Sequence, residues 1–446
     1  MVRRLFPALL VAALAVAQVP APRRTAPKVT SKQKPVIPAR SAARKLIVVS
    51  IDGLDSRFFR DADRFRMKIP TLRKLVATGL SAEVVAMAPT LTWPSHAVIA
   101  TGVPPEQNGI LDNTRPAKPD DHYWYEKDLQ ATPIWLAATQ TGLRSASIYW
   151  PSTVDAHVNF NCPEYWEGPT ANAIPFEQIT PKCTPGLIDR ISKWDNSFVA
   201  PLWDDAVGID VLRYLRTHEN LDLILLHLPE LDAEQHETGA MSIYSRKVLE
   251  NDDDLLGGAL QKLDPETVVA IVSDHGFDTA LYSVRPKVML RASGLADKVQ
   301  VRFGLIAVTD ARAAAVLRRS VGAPRSGIGR EVPMAEVRRL APAAEVRGWV
   351  AAFDPTLGYV ATEEAGGAAV SAGNHKGVHG MWPTHDSSRA MFILSGAGVR
   401  HGRLGEVSIL DEAPTFAEIL GVRLPQAKGT SLLGRLGPRT STNEHE

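Results

Sequence analysis

The chain has 446 residues, 45% of them hydrophobic and 22% charged. That is ample core for one large enzyme domain or two to three smaller ones, and it excludes a disordered, collagen-like or polytopic membrane protein. Fifty Lys and Arg against 49 Asp and Glu give a formal charge of +1, so no bulk positive field points to binding of a nucleic-acid backbone. The first 45 residues hold ten of the basic groups and no acidic one, which leaves 40 against 49, a net of −9, in residues 46–446.

Arg3 and Arg4, then an apolar run over 5–17 ending in Ala15-Val16-Ala17, read as a secretory signal with its cleavage site. The run of 13 residues falls short of the roughly 20 that a membrane span needs, a retained anchor being the alternative. The mature chain is expected to begin near Gln18 and to be periplasmic or secreted. Residues 18–45, with eight Lys/Arg and five prolines, are read as a flexible basic tether. Its plain role is a solvated linker; its other role is weak contact with an anionic envelope surface. The two cysteines, Cys162 and Cys183, suit one disulfide in an oxidising compartment, against two separate buried thiols.

Beyond the tether, short β-branched runs alternate with helical patterns. Residues 46–51 predict a buried strand that ends at Asp52, and 70–77 a helix bounded by Gly79. Pro94 suits the first turn of a further helix, which puts Thr92 at or just before a helix N-terminus, where an anion is favoured. A helix over 202–218 has its apolar face at 207, 211, 212 and 215. The apolar run 223–228 is followed by Asp232 and His236, whose spacing puts both on one helical face. A helix over 242–263 carries Asp252, Asp253 and Asp254, read as a solvated turn, because the glycine and spaced acids of a calcium loop are missing. The run 268–272 leads into Asp274 and His275. This alternation predicts an α/β fold with a mostly parallel sheet, and such sheets bind ligands at the carboxyl ends of their strands. Three strands thus deliver carboxylates and imidazoles to one edge, and mixed carboxylate and imidazole donors suit zinc.

Several of these pieces occur in a characteristic order: Asp52-Gly53, Thr-Trp-Pro-Ser-His at 92–96 before Ala100-Thr101-Gly102, the Gly109–Asn113 segment, Asp232 with His236, Ser273-Asp274-His275-Gly276, and His379-Gly380. Together with residues 203–263 and 411–421, the set resembles the nucleotide pyrophosphatase/phosphodiesterase family of the alkaline phosphatase superfamily. The resemblance covers most of residues 46–432. It implies a three-layer α/β sandwich built from 46–279 and 371–432, with a cap inserted at 280–370 and a C-terminal tail at 433–446. It also implies two zinc ions, one held by Asp232, His236 and His379, the other by Asp52, Asp274, His275 and the Thr92 oxygen. For the last histidine ligand, His379 is preferred to His375 and His385 because of the glycine after it. Thr92 would attack phosphorus and form a covalent threonine intermediate, and Asn113 would donate to a phosphoryl oxygen.

Trp93 stands where many family members have Phe and keeps an aromatic face at the pocket mouth. Trp150-Pro151 resembles the diesterase branch, where an aromatic group near the site stacks on a nucleobase or shields an apolar leaving group; a buried core position is the other reading of Trp150. No Lys and Arg pair of the monoesterase kind follows the nucleophile helix. The expected function is hydrolysis of a small phosphodiester or pyrophosphate substrate, without specific nucleic-acid binding. The alternatives are a phosphomonoesterase or phosphonate hydrolase with the same metals and, outside enzymes, a metal-stabilised envelope binding module.

Overall fold

The computed structural model describes residues 45–116, 118–168 and 174–436. The expected signal, the tether up to residue 44 and the last ten residues therefore lie outside the described residues. No helix among those described is long and apolar enough to cross a membrane.

The first strand shows why the molecule is layered. β1 (Lys45–Ile51) alternates its apolar side chains between two cores. Leu46 and Val48 face one side, in a core with Val98, Trp135 and Phe416. Ile47, Val49 and Ile51 face the other, with Phe58, Leu72, Leu212 and Leu256. A strand buried on both faces needs helices above and below it, and its side-chain period of two assigns one set to each layer.

β1 is central in an eight-stranded sheet. Its other members, in chain order, are β2 (Leu80–Val85), β3 (Ser145–Ile148), β4 (Phe160–Cys162), β5 (Leu223–Leu228), β6 (Thr267–Val272), β7 (Ala390–Gly396) and β8 (Gly402–Ser408). The spatial order is β8-β2-β7-β6-β1-β5-β3-β4. β1 runs parallel to β5 and β6, β3 to β4 and β5, and β8 to β2; only β7 is antiparallel to its neighbours. Consequently β1, β5 and β6 end together at one edge.

The helices that matter for this edge are α1 (Pro70–Thr78), α2 (Thr92–Thr101), α3 (Asp205–His218), α4 (Glu230–Thr238) and α5 (Ile243–Ala259). α3 starts three residues later than its apolar periodicity suggests, because Asp204 caps it by accepting the Val207 N–H. The triple-aspartate stretch departs from its solvated reading: Asp252 and Asp253 are fully buried and only Asp254 is exposed. Successive helical residues point about 100° apart, so a helix packed over a wide face buries part of any such run.

Residues 280–370, expected as a cap, build a four-stranded antiparallel sheet (299–302, 305–308, 351–355 and 328–332 in spatial order) and contribute strands 282–284 and 359–361 to a smaller sheet, whose third strand, 370–372, runs past the expected boundary. Alternation again decides the packing. Leu305, Ala307 and Val332 join the main core, while Ile306, Val308 and Phe353 close a separate core with Leu290 and Leu317.

Candidate active site

β1 delivers Asp52, and Gly53 at φ +68° turns the chain so tightly that a Cβ there would lie 2.7 Å from the Phe277 ring. The turn lets the Gly53 N–H donate to Asp274 Oδ1 at 3.1 Å. β6 runs directly into Asp274 and His275, both fully buried. His275 Nε2 stands 3.1 Å from Asp274 Oδ2 and 3.5 Å from Asp52 Oδ1. After β5 the chain turns at Pro229 into α4, which places Asp232 and His236 one turn apart, Nε2 to Oδ2 3.5 Å. His379 Nε2 comes within 3.8 Å of Asp232 Oδ1, and its ring stacks on His275 at 4.0 Å.

Backbone carbonyls fix which nitrogen each histidine offers. His236 turns Nδ1 to Gly377 O at 3.2 Å and His379 turns Nδ1 to Thr90 O at 3.3 Å, so both aim Nε2 inward. The structure thereby gathers Asp232, His236 and His379 into one donor group and Asp52, Asp232 and His275 into an adjoining one. His375 is exposed, and His385 is buried against Ser387.

The electrostatics of these groups fit a role as cation ligands. Among the described residues, Asp52 Oδ1, Asp232 Oδ1, Asp274 Oδ2 and both ring nitrogens of His275 are buried without a hydrogen-bond partner. Burial, and then the charge of Asp232, pushes the Asp52 carboxyl well above the usual range; burial, and then Asp52, does the same to Asp274. His275 is held neutral by burial and by the neighbouring His379 and His236. Buried acceptors left unpaired are costly, and a divalent cation removes that cost where the donors are carboxylates and neutral imidazoles.

Thr92 is the first residue of α2 and lines the cleft beside these donors. Of the first-turn amides, Pro94 has none and Trp93 donates to Asn113 Oδ1 at 3.1 Å. That bond fixes the Asn113 amide with its NH2 group left to donate.

Sequence reasoning missed the support behind Asp52. His227, one residue before the end of β5, places Nε2 3.0 Å from Asp52 Oδ2 and Nδ1 3.3 Å from buried Glu164. Burial pulls the His227 pKa down, but Glu164 and Asp274 outweigh it and raise it. His96 holds the start of α2, with Nδ1 2.8 Å from Thr92 O and Nε2 2.9 Å from Ser50 Oγ. An imidazole inside the apolar run Leu223–Leu228 was the available signal for His227; Glu164 offered none.

The cleft has a volume of about 770 Å³. Its second wall is aromatic, built from Trp93, His122, Trp166 and Trp203. Trp150 is corrected here: it is fully buried in the core, edge-on to His96, and does not line the cleft. No residue of 280–370 lines the cleft, and among its described lining residues there is neither Lys nor Arg.

An α/β sheet that carries Asp and His donors at the carboxyl ends of its strands, beside a helix that starts with threonine, has the architecture of the alkaline-phosphatase-like proteins. Residues 46–338 match the type I phosphodiesterase/nucleotide pyrophosphatase family, and the chain belongs to that family. Ectonucleotide pyrophosphatase/phosphodiesterase family member 3 of Rattus norvegicus is 27% identical over 267 residues, 56% of this chain and 26% of the relative. Venom phosphodiesterase 2 of Crotalus adamanteus is 25% identical over 259 residues, 54% of this chain and 28% of that protein. The matched stretch thus spans about a quarter of these relatives. Among solved structures, murine ectonucleotide pyrophosphatase/phosphodiesterase 5 shares the fold with a TM-score of 0.56 at 17% identity, covering 87% of this chain and 98% of that one.

Proposed function

We propose that the protein hydrolyses phosphodiester or pyrophosphate bonds of small substrates, with Thr92 as nucleophile and two zinc ions as cofactors. The observation that carries this reading is the donor set at the sheet edge, Asp52, Asp232, Asp274, His236, His275 and His379, next to Thr92, with both His275 nitrogens and an oxygen of each aspartate buried without a hydrogen-bond partner among the described residues. When bound, the ions would supply Lewis acidity toward the phosphoryl oxygens and the charge that lets a threonine hydroxyl ionise.

The chain's own residues do the rest. Thr92 Oγ forms the bond to phosphorus as the leaving oxygen departs, giving a phosphorylated or nucleotidylated threonine that water then cleaves. Asn113, its carbonyl tied to the Trp93 N–H, donates its NH2 to a phosphoryl oxygen. His227 and Glu164 hold Asp52 through Oδ2, so that Oδ1 faces the cation site. The aromatic wall offers ring faces to a nucleobase or aryl leaving group.

Charge favours diesters over monoesters. Two divalent ions against three aspartates leave one positive charge once, and ionised Thr92 cancels it; the extra charge of a monoester then lacks a lysine or arginine among the described lining residues. The apolar stretch after Arg3 and Arg4 supports reading the protein as exported, with this chemistry proposed for the periplasm or outside the cell. The test is k for matched aryl diesters and monoesters after chelation and readdition of zinc. Activity should vanish and return, with diesters favoured in kcat/KM; a tenfold monoester advantage would reassign the enzyme as a phosphomonoesterase.

A further inference from the structure

The aspartate run 252–254 holds a group that the catalytic site does not use. Asp253 accepts the Thr71 and Leu72 N–H groups at the start of α1, at 2.9 and 2.7 Å. Asp252 has no such task. It is fully buried, and no N–H or O–H of the described residues reaches either of its oxygens.

Asp252 points at two more carboxylates from neighbouring helices. Asp205, fully buried, begins α3, and Glu230, half-buried, begins α4. One oxygen from each of the three lies within 4.8 Å of the others. Among the described residues Asp205 receives only the Glu230 backbone N–H, at 3.4 Å from each oxygen. Asp204 adds a fourth negative charge nearby, and no lysine, arginine or histidine forms an ion pair with any of the four among the described residues.

Carboxylates packed in the interior without donors or counter-charges are strongly unfavourable, so either a proton shared between Asp205 and Asp252 or a bound cation must neutralise them. Two oxygens bound to one calcium ion at 2.3 to 2.6 Å lie at most about 5 Å apart, and the three oxygens here lie within 4.8 Å of one another. The donors are oxygen alone, without imidazole or thiolate, which selects a hard cation over zinc. The full burial of Asp205 and Asp252 disfavours magnesium, which keeps several waters. Glu230 also lines the cleft, so an ion has a route in.

We propose that Asp205, Glu230 and Asp252 bind one calcium-type cation, distinct from the Asp and His donors of the catalytic site. Such an ion ties the first turns of α3 and α4 to the middle of α5. Because α4 carries Asp232 and His236, the ion also fixes the helix that presents them.

The experiment uses the full zinc-loaded chain, stripped of calcium in zinc-containing buffer, and reads calcium per chain and Tm with and without millimolar calcium chloride. Wild type should bind one calcium and gain about 3 °C or more in Tm. Asp252→Asn and Glu230→Gln should lose both effects, and Asp254→Asn, at the exposed position, should keep them. Asp252→Asn removes an uncompensated charge and should fold; Glu230→Gln, at a half-buried position, gives an independent arm. The proposal is overturned if wild type binds no more calcium than Asp252→Asn, if both show the same rise in Tm, or if magnesium alone produces the effect. None of these readouts depends on turnover, so a negative result leaves the catalytic reading standing.

Discussion

The donor side of the cleft and its aromatic side come from different parts of the chain. Asp52, Asp274 and His275 sit where strands buried on both faces end, and their spacing is set by parallel pairing in register. Trp166 and Trp203 come from irregular segments, and His122 from the end of a short two-stranded sheet. Only Trp93 is carried on a helix of the main domain. Both sides hold buried polar atoms without hydrogen-bond partners among the described residues, carboxylate oxygens and the His275 nitrogens on one, the ring nitrogens of Trp93, His122, Trp166 and Trp203 on the other. The difference is charge and packing, since the rings also rest on one another, Trp93, Trp124 and Trp166 meeting edge to face at 4.5 to 6.0 Å. Rigid strand ends thus hold groups that are unfavourable without a ligand, and rings on less regular segments shape what approaches them. Substitutions on the donor side should therefore cost activity, and those on the aromatic side mainly stability or selectivity.

The largest effect is expected at Thr92. Thr92→Ala should lower kcat by about 10³-fold or more while zinc content and Tm stay close to wild type, because the nucleophile goes but the Asp and His donors remain. Normal turnover in a zinc-replete variant would remove the covalent mechanism. Asn113→Ala should cost roughly 10² to 10³ in kcat, as for the loss of one oxyanion donor. A change confined to KM would make Asn113 a binding group instead.

These donor-side residues were the legible part of the sequence, for a physical reason. A buried strand is written as a continuous apolar run, so the first acid after it marks the edge; Asp52 and Asp274 follow directly, and Asp232 and His236 follow from helical spacing. The aromatic side has no such grammar. Trp150 followed a strand and looked like a wall residue, but the left-handed conformation of Tyr149 precedes it and Trp150 packs into the core. Trp166 and Trp203 reach the cleft through loops whose course no periodicity encodes. Asp252 was misread because a run of three like charges does not say which of them the helix buries.

The disulfide gives the next effect. Cys162 and Cys183 are joined, S–S 2.05 Å, with 21 residues of separation. Glu164 lies two residues beyond Cys162, so the bridge anchors the segment that leads to Trp166. Replacing both cysteines by serine should lower unfolding free energy by about 3 kcal/mol, from restored loop entropy in the unfolded chain. Chemical denaturation of oxidised wild type and the double variant measures this, and equal midpoints would show that packing alone holds the segment.

The smallest effect tests the aromatic side through acid. His122 sits among Trp93, Trp124 and Trp166, with ring centroids 4.6 to 4.8 Å away, and burial pulls its pKa from 6.5 down to about 4 despite the nearby Asp121 and Asp120. Between pH 6.5 and 4 the unfolded chain takes up a proton that the folded chain refuses. The stability contributed by neutral His122 is therefore complete above pH 6.5 and is lost as pH falls toward 4. His122→Phe should flatten that part of the stability curve by about 1 kcal/mol, a figure reduced because the ring borders the open cleft. A competing force acts in the opposite direction, since indole faces attract an imidazolium through their quadrupoles. The rings stand tilted or edge-on to His122, at interplanar angles of 36 to 64°, which presents less of their faces than stacking would. Desolvation should accordingly win. An NMR titration that places the His122 pKa at or above 6.5 would show that the indoles hold the cation, and would recast this wall as a site for positively charged substrate groups.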